Sequence, residues 1–114
     1  MEPGPILAVV FYRTISGAEP VREWLKALDR EDRRRIGVDL KTVQYGWPLG
    51  MPLVRKLEPG LWETRSRLDR RTARILFTVS EQRMILLHGF IKKSQKTPPV
   101  DLNLARRRCR DLDA

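Results

Sequence analysis

An uninterrupted apolar run, ILAVVFY, occupies residues 6 to 12, near the start of the chain. Its β-branched and aromatic side chains favour a strand, and the lack of polar alternation is typical of a strand covered on both faces. We therefore expect Ile6 to Tyr12 to form a strand inside a sheet.

A helix is predicted directly after this strand. Ser16 and Glu19 have the spacing of a capping box, and Pro20 falls in the first turn, where its missing N–H does little harm. The apolar residues that follow have the i, i+3, i+4, i+7 spacing of one buried helical face. They are Val21, Trp24, Leu25 and Leu28.

A second helix follows, and Asp29 is placed to cap it. Gly46 and Pro48 supply a stop signal at its other end. One apolar stripe runs along it, made of Ile36, Leu40, Val43 and Trp47.

From Gly50 onward the hydrophobic period becomes that of short strands joined by turns. Four strands are predicted, at Pro52 to Leu57, Leu61 to Leu68, Thr72 to Ser80 and Arg83 to Ile91. In the second of these, Glu63, Arg65 and Arg67 are two residues apart, so one face of that strand takes its charges.

A last helix is predicted after the break at Pro98 and Pro99, with Asp101 as its cap. Its narrow apolar stripe consists of Leu102, Ala105, Cys109 and Leu112. The element order predicts an α+β fold, with helices packed on a mostly antiparallel sheet, in a single domain over residues 1 to 114.

The amino-acid composition limits the kinds of binding site and the location that we expect for the protein. The 114 residues include one cysteine and one histidine, so we expect neither a disulfide framework, nor a Cys/His metal site, nor a cofactor. No segment reaches the roughly 20 apolar residues of a membrane span, and the apolar start has no basic leader. We expect a soluble cytoplasmic protein that does not bind membranes.

Charge is distributed unevenly along the chain. The formal net charge is +9, and residues 51 to 114 carry 15 Lys and Arg against 7 Asp and Glu, whereas residues 1 to 50 carry 8 against 7. Such asymmetry favours a polyanionic partner, nucleic acid or an acidic protein, over a neutral metabolite, although solubility alone could also explain it.

Several cations are placed to meet at one site. The last predicted strand runs directly into Lys92, Lys93 and Lys96. Arg65 and Arg74 lie within two other strands, and a planar guanidinium can grip a phosphate with two hydrogen bonds. This pattern indicates a phosphate site.

The segments LWETR (61 to 65), ARILF (73 to 77) and ILLHGFIKKSQKTP (85 to 98), followed by a helix with Ala105 and Arg108, resemble the phage-derived HigB-like branch of the RelE/ParE toxin superfamily. The resemblance implies a RelE-like fold with an N-terminal helical hairpin. It also implies a toxin of a type II toxin–antitoxin system that cleaves mRNA on the ribosome. A HigA-like helix-turn-helix antitoxin would hold it inactive.

RNA chemistry is compatible with that expectation. The ribose 2'-OH can attack the adjacent phosphorus without metal or cofactor, provided that a protein aligns it and neutralises the developing charge. The resemblance places phosphate-binding arginines at Arg65 and Arg74, and basic catalytic residues in the region of Lys92 and Lys93. His88, on the same side of its strand as Lys92 by alternation, is a secondary catalytic candidate.

Four further residues are predicted to bind RNA. They are Lys56, Arg67, Phe90 and Lys96. Several candidates also have a structural interpretation: Arg74 could pair with Glu63 or Glu81, His88 and Phe90 could lie in the core, and the lysines after the last strand could form a solvated loop.

Two other functions remain open from the sequence. A noncatalytic basic module binding RNA or the ribosome would need the same arginines and lysines. A ParE-like toxin acting on a protein target would share the architecture, but the clustering of arginine and lysine argues against it.

Overall fold

The computed structural model describes residues 4–92 and 95–112, which contain five strands and three helices in an α+β arrangement. Lys93, a predicted catalytic residue, lies outside the described residues. The elements in chain order are β1 Ala8–Phe11, α1 Pro20–Lys26, α2 Arg30–Gly46, β2 Val54–Glu58, β3 Leu61–Leu68, β4 Arg71–Ser80, β5 Arg83–Lys92 and α3 Pro99–Asp111.

The strands form a single sheet in the order β1-β5-β4-β3-β2. β2 to β5 are a meander in which each strand is antiparallel to the next, while β1 pairs in parallel with β5. The prediction of a strand inside the sheet at Ile6 to Tyr12 was therefore wrong in position, since β1 is short and lies at the edge. Its apolar sequence has another cause: Leu7 and Tyr12, which flank β1, are buried in two different clusters.

The helices cover both faces of the sheet. α1 packs on β5 and β1, and α2 packs on β3. The core beneath them includes Val21, Ile36, Val43, Phe77 and Leu86. The two helices follow one another as predicted, whereas their pairing as a hairpin stays a prediction.

α3 packs on the opposite face, against β5 and β4. Leu76, Leu87 and Ala105 are fully buried in this second, smaller cluster. The predicted apolar stripe of α3 is partly confirmed, because Leu102 and Cys109 pack against this cluster but Leu112 is exposed.

Two predicted helix caps were wrong. α1 begins at Pro20 with Glu19 as the N-cap residue, and the Ser16 hydroxyl lies 3.0 Å from that of Thr14. α3 begins at Pro99, so Asp101 lies in the first turn and not at the cap. In both helices a proline occupies the first position, where its fixed φ already suits the helix. Asp29 is the N-cap residue of α2, as predicted, without a side-chain capping bond.

A β-bulge interrupts the pairing of β4 with β5. Phe77 pairs with Leu86 but Leu76 pairs with His88, so Leu87 is an extra residue in β5. The alternation of side chains shifts by one residue at this point. His88 faces α3 with Leu76, and regular alternation after the bulge puts it on the same face as Lys92, as predicted.

Within the described ranges, no helix combines the length and apolar character needed to cross a lipid bilayer.

Gly89 allows close packing of α1 on the sheet, because a Cβ at this position would lie 2.5 Å from the Trp24 ring. We expect Gly89→Ala to lower the free energy of unfolding by about 1–3 kcal/mol through overpacking. Gly37→Ala is the matched control: this α2 position has open space around it, so alanine should stabilise by about 0.5–1 kcal/mol. Urea denaturation measures both, and equal effects of the two substitutions would contradict the packing argument.

Candidate functional site

The predicted site residues of β3, β4 and β5 lie side by side on the face of the sheet that α3 partly covers. The pairing registers align them in three rows across the strands. These rows are Glu63, Leu76 and His88; Arg65, Arg74 and Phe90; and Arg67, Thr72 and Lys92. The convergence expected from the sequence is therefore present for Arg65, Arg67, Arg74 and Lys92.

Arg74 and Glu63 form a buried ion pair at the centre of this face. Their side chains are 1% and 0% exposed, and Arg74 Nη1 lies 3.7 Å from Glu63 Oε1. Burial lowers the pKa of Arg74, the Glu63 carboxylate opposes that shift, and the charges of Arg65 and Arg55 lower it further. The pairing with Glu63 considered from the sequence is thus present, whereas Glu81 pairs with Arg83.

The segment after β5, residues 95–97, folds back over this pair. The Gln95 carbonyl accepts hydrogen bonds from Arg74 Nη1 at 3.1 Å and from Arg55 Nη1 at 3.4 Å. Arg65 Nη2 donates to Gln95 Oε1 at 3.4 Å, and Thr97 Oγ1 donates to Glu63 Oε2 at 2.7 Å. The segment is consequently attached to β2, β3 and β4 at once.

Arg55 was missed from the sequence, and Lys56 was chosen in its place. Arg55 pairs with Glu63 in the sheet register and shares its face, while Lys56 pairs with Trp62 and points to the other face. The Lys56 ammonium lies 6.0 Å from the centre of the Trp62 ring. The structure therefore does not bring Lys56 to the other candidates.

A cleft of about 430 Å³ opens beside this group. Its lining includes Arg35, Asp39, Arg65, Arg67, Thr72 and Gln95. Arg35 belongs to the exposed side of α2 and was also missed, because its position relative to β3 depends on how α2 packs. Three guanidinium groups facing one cleft can bind the backbone phosphates of a nucleic acid.

The two described lysines at and beyond the end of β5 are accessible to solvent. Lys92 is exposed at the end of β5, and Lys96 is exposed beyond it. Lys96 belongs to the segment that the arginines hold, and Lys92 lies three residues before that segment.

His88 and Phe90 are joined to α3. His88 Nε2 lies 2.6 Å from Asp101 Oδ1, and the imidazole stacks on the Phe90 ring at 5.5 Å. Phe90 is buried in the cluster beneath α3, so core packing, the alternative considered from the sequence, describes it in this structure. Asp101 orients His88 and fastens the first turn of α3 to β5.

A larger groove, of about 720 Å³, lies at the opposite end of the sheet. It contains Arg13, Arg83, Arg106 and Arg110, but the Arg106 guanidinium is held by Glu58, with Nη2 2.6 Å from Oε1. None of the predicted site residues lines it, and the 430 Å³ cleft is therefore the better candidate.

Among the residues that the structure describes, no group of three or more His, Cys, Asp or Glu is arranged to hold a metal ion.

Glu63 should stabilise the fold through Arg74. We expect Glu63→Leu to cost about 3–5 kcal/mol of unfolding free energy, because it leaves a buried guanidinium without its carboxylate. Adding Arg74→Met should recover most of that loss. Exposed Glu31, which pairs with Arg34, is the control, and Glu31→Leu should leave the denaturation midpoint nearly unchanged. A double variant no more stable than Glu63→Leu alone would contradict this coupling.

Comparison with known proteins gives one family. No curated protein sequence matches the chain. The model of the family described as phage-derived protein Gp49-like matches residues 23–110, from α1 to the last turn of α3. Since that match covers well over half of the chain, the protein belongs to the phage-derived Gp49-like family, which is associated with RelE/HigB-like toxins.

Proposed function

We propose that this protein is the toxin of a type II toxin–antitoxin system and an endoribonuclease that cleaves mRNA, with the ribosome as the setting. The observation that carries the proposal is the group of arginines around the 430 Å³ cleft, on the face and at the end of the sheet where Lys92 lies. The association of the Gp49-like family with toxins supports it.

The reaction proposed is attack of the 2'-OH on the adjacent phosphorus, with loss of the 5'-oxygen of the next nucleotide. The protein supplies charge and alignment. Arg65 and Arg67, both in the cleft, neutralise the phosphoryl oxygens as their charge grows. Solvent water takes the proton released by the 2'-OH. An ammonium group such as that of Lys92 protonates the leaving oxygen, a step that guanidinium groups cannot perform because they stay protonated.

Arg74 has a different role in this proposal from the one expected of it. While the Gln95 carbonyl covers it, a side chain that is 1% exposed does not contact a ligand in the cleft. It positions the segment that follows Lys92. The structure thus supports Arg65 and Arg67, more than Arg74, as the first contacts of the RNA.

A noncatalytic module binding RNA or the ribosome is the second candidate. It is favoured by the burial of Arg74 and by the engagement of His88 with Asp101, since neither side chain is presented to the cleft. In both proposals the remaining partner is a HigA-like helix-turn-helix antitoxin.

End-group analysis of cleaved mRNA separates the two candidates. The protein is incubated with translating ribosomes, and the new 3' ends are mapped and characterised. We expect 2',3'-cyclic phosphate or 3'-phosphate ends, and a single 2'-deoxy nucleotide at the cut position should abolish cleavage because it removes the nucleophile. Products with a 3'-hydroxyl would contradict the mechanism, and binding without cleavage would favour the noncatalytic module.

Arg65→Ala tests the assignment within the cleft. We expect the cleavage rate to fall by about 10²–10³-fold, the effect of removing one donor from a developing oxyanion. Arg65→Lys should recover part of the cleavage rate, because lysine keeps the positive charge but cannot form a bidentate hydrogen bond. Arg83→Ala, at the far end of β5, is the control and should cleave normally. The assignment fails if the rate of Arg65→Ala equals that of the control.

A further inference from the structure

Gln95 receives hydrogen bonds from three arginines on three different strands. Its backbone carbonyl lies 3.1 Å from Arg74 Nη1 and 3.4 Å from Arg55 Nη1, and its side-chain oxygen lies 3.4 Å from Arg65 Nη2. Two oxygens of one residue thus occupy the space between three guanidinium groups. A phosphate presents two or more oxygens to arginines in the same manner.

The charges of this cluster do not balance. Arg55, Arg65 and Arg74 carry three positive charges. Among the residues that the structure describes, Glu63 is the carboxylate paired with them, at 3.7 Å from Arg74 and 4.0 Å from Arg65. Burial lowers the pKa of Arg74, and repulsion from the charges of Arg65 and Arg55 lowers it further, against the attraction of Glu63. Gln95 is neutral, so it hydrogen-bonds these groups without cancelling their charge.

The cluster is adjacent to the open cleft. Arg65 and Gln95 both line the 430 Å³ space, and the Gln95 side chain is exposed. A ligand that enters the cleft therefore reaches Gln95 and Arg65 before it reaches Arg55 and Arg74.

From these contacts we infer that Gln95 occupies an internal phosphate site, and that an RNA phosphodiester displaces its oxygens to bind Arg55, Arg65 and Arg74 together. This inference rests on the proposed function, since it names how the substrate of that site is held. It makes Arg55 a substrate-binding residue and Gln95 an internal competitor of the substrate. Free protein would keep the three arginines covered, and a phosphodiester would uncover them.

The exchange is favourable because the entering group is charged. An anionic phosphate oxygen adds Coulomb attraction to each guanidinium hydrogen bond, which the neutral oxygens of Gln95 do not supply. Displacement does not require the whole segment to leave, because Thr97 is held separately by Glu63 at 2.7 Å. Rotation of the Gln95 side chain vacates one oxygen position, and a turn of the peptide between Gln95 and Lys96 vacates the other.

The test measures binding of two probes that the proposed reaction cannot cleave, inorganic phosphate and a short DNA oligonucleotide without 2'-hydroxyls. We expect Gln95→Ala to bind both about fivefold more tightly than the original chain, because a competing hydrogen bond is lost. Arg55→Gln should bind both at least about tenfold more weakly, since a charged donor is lost. Arg83→Gln is the matched control for net charge, because Arg83 lies at the other end of the sheet and pairs with Glu81.

A second readout follows Gln95 directly. Its side-chain amide resonance, identified by its disappearance in Gln95→Ala, should shift as phosphate is added to the original chain. The inference is overturned if Gln95→Ala binds the probes equally or more weakly, if Arg55→Gln behaves like Arg83→Gln, or if the Gln95 resonance does not move. Because the probes are not cleaved, tighter binding by Gln95→Ala in a protein that never cuts mRNA would retain this inference and reject the ribonuclease. Cleavage with unchanged probe binding would do the reverse.

Discussion

Burial of the Arg74 guanidinium is the constraint on which the rest of the candidate site depends. A charge with 1% of its side chain exposed needs an opposite charge and hydrogen-bond acceptors around it. Glu63, on β3, supplies the opposite charge. The Gln95 carbonyl, in the segment after β5, supplies one hydrogen-bond acceptor. The requirement to accommodate one buried cation thus joins two neighbouring strands to the segment that carries the described lysine Lys96.

The two faces of the sheet differ in the side chains that they carry. The face under α1 and α2 holds the larger apolar cluster, in which Trp47, Trp62 and Phe77 pack with ring centres 5–6 Å apart. The face under α3 is apolar only where that helix covers it, and its remaining end carries Arg65, Arg67 and Lys92. The larger apolar cluster lies on the first face, so the cations at the charged end of the second face lie outside it.

The sequence was sufficient for the order of elements, because the hydrophobic period changes from helical to strand-like near Gly50 and the turns are marked by glycine and proline. Alternation also put Arg65 with Arg67 on one face of their strand and His88 with Lys92 on one side of theirs, whereas the registers between strands show that these faces and that of Arg74 coincide. The sequence could not place β1 at the edge, since an apolar segment with buried residues on both faces has the pattern of a central strand.

Nor could the sequence distinguish Arg55 from Lys56. Adjacent cations point to opposite faces, and the pairing of β2 with Glu63 on β3 decides which one joins the site. The sequence around Asp101 is typical of a helix cap, yet the Asp101 carboxylate pairs with the His88 imidazole on β5.

The extra residue at Leu87 has a consequence for how chains of this kind are compared. Leu86 on one side of it and His88 on the other already pair with consecutive residues of β4, Phe77 and Leu76. A relative lacking Leu87 would therefore keep Lys92 opposite Thr72 and on the same face. Gain or loss of a single codon there would alter packing in the cluster beneath α3, where Leu87 is buried, and an alignment can accept a one-residue gap at this point without moving the cationic cleft.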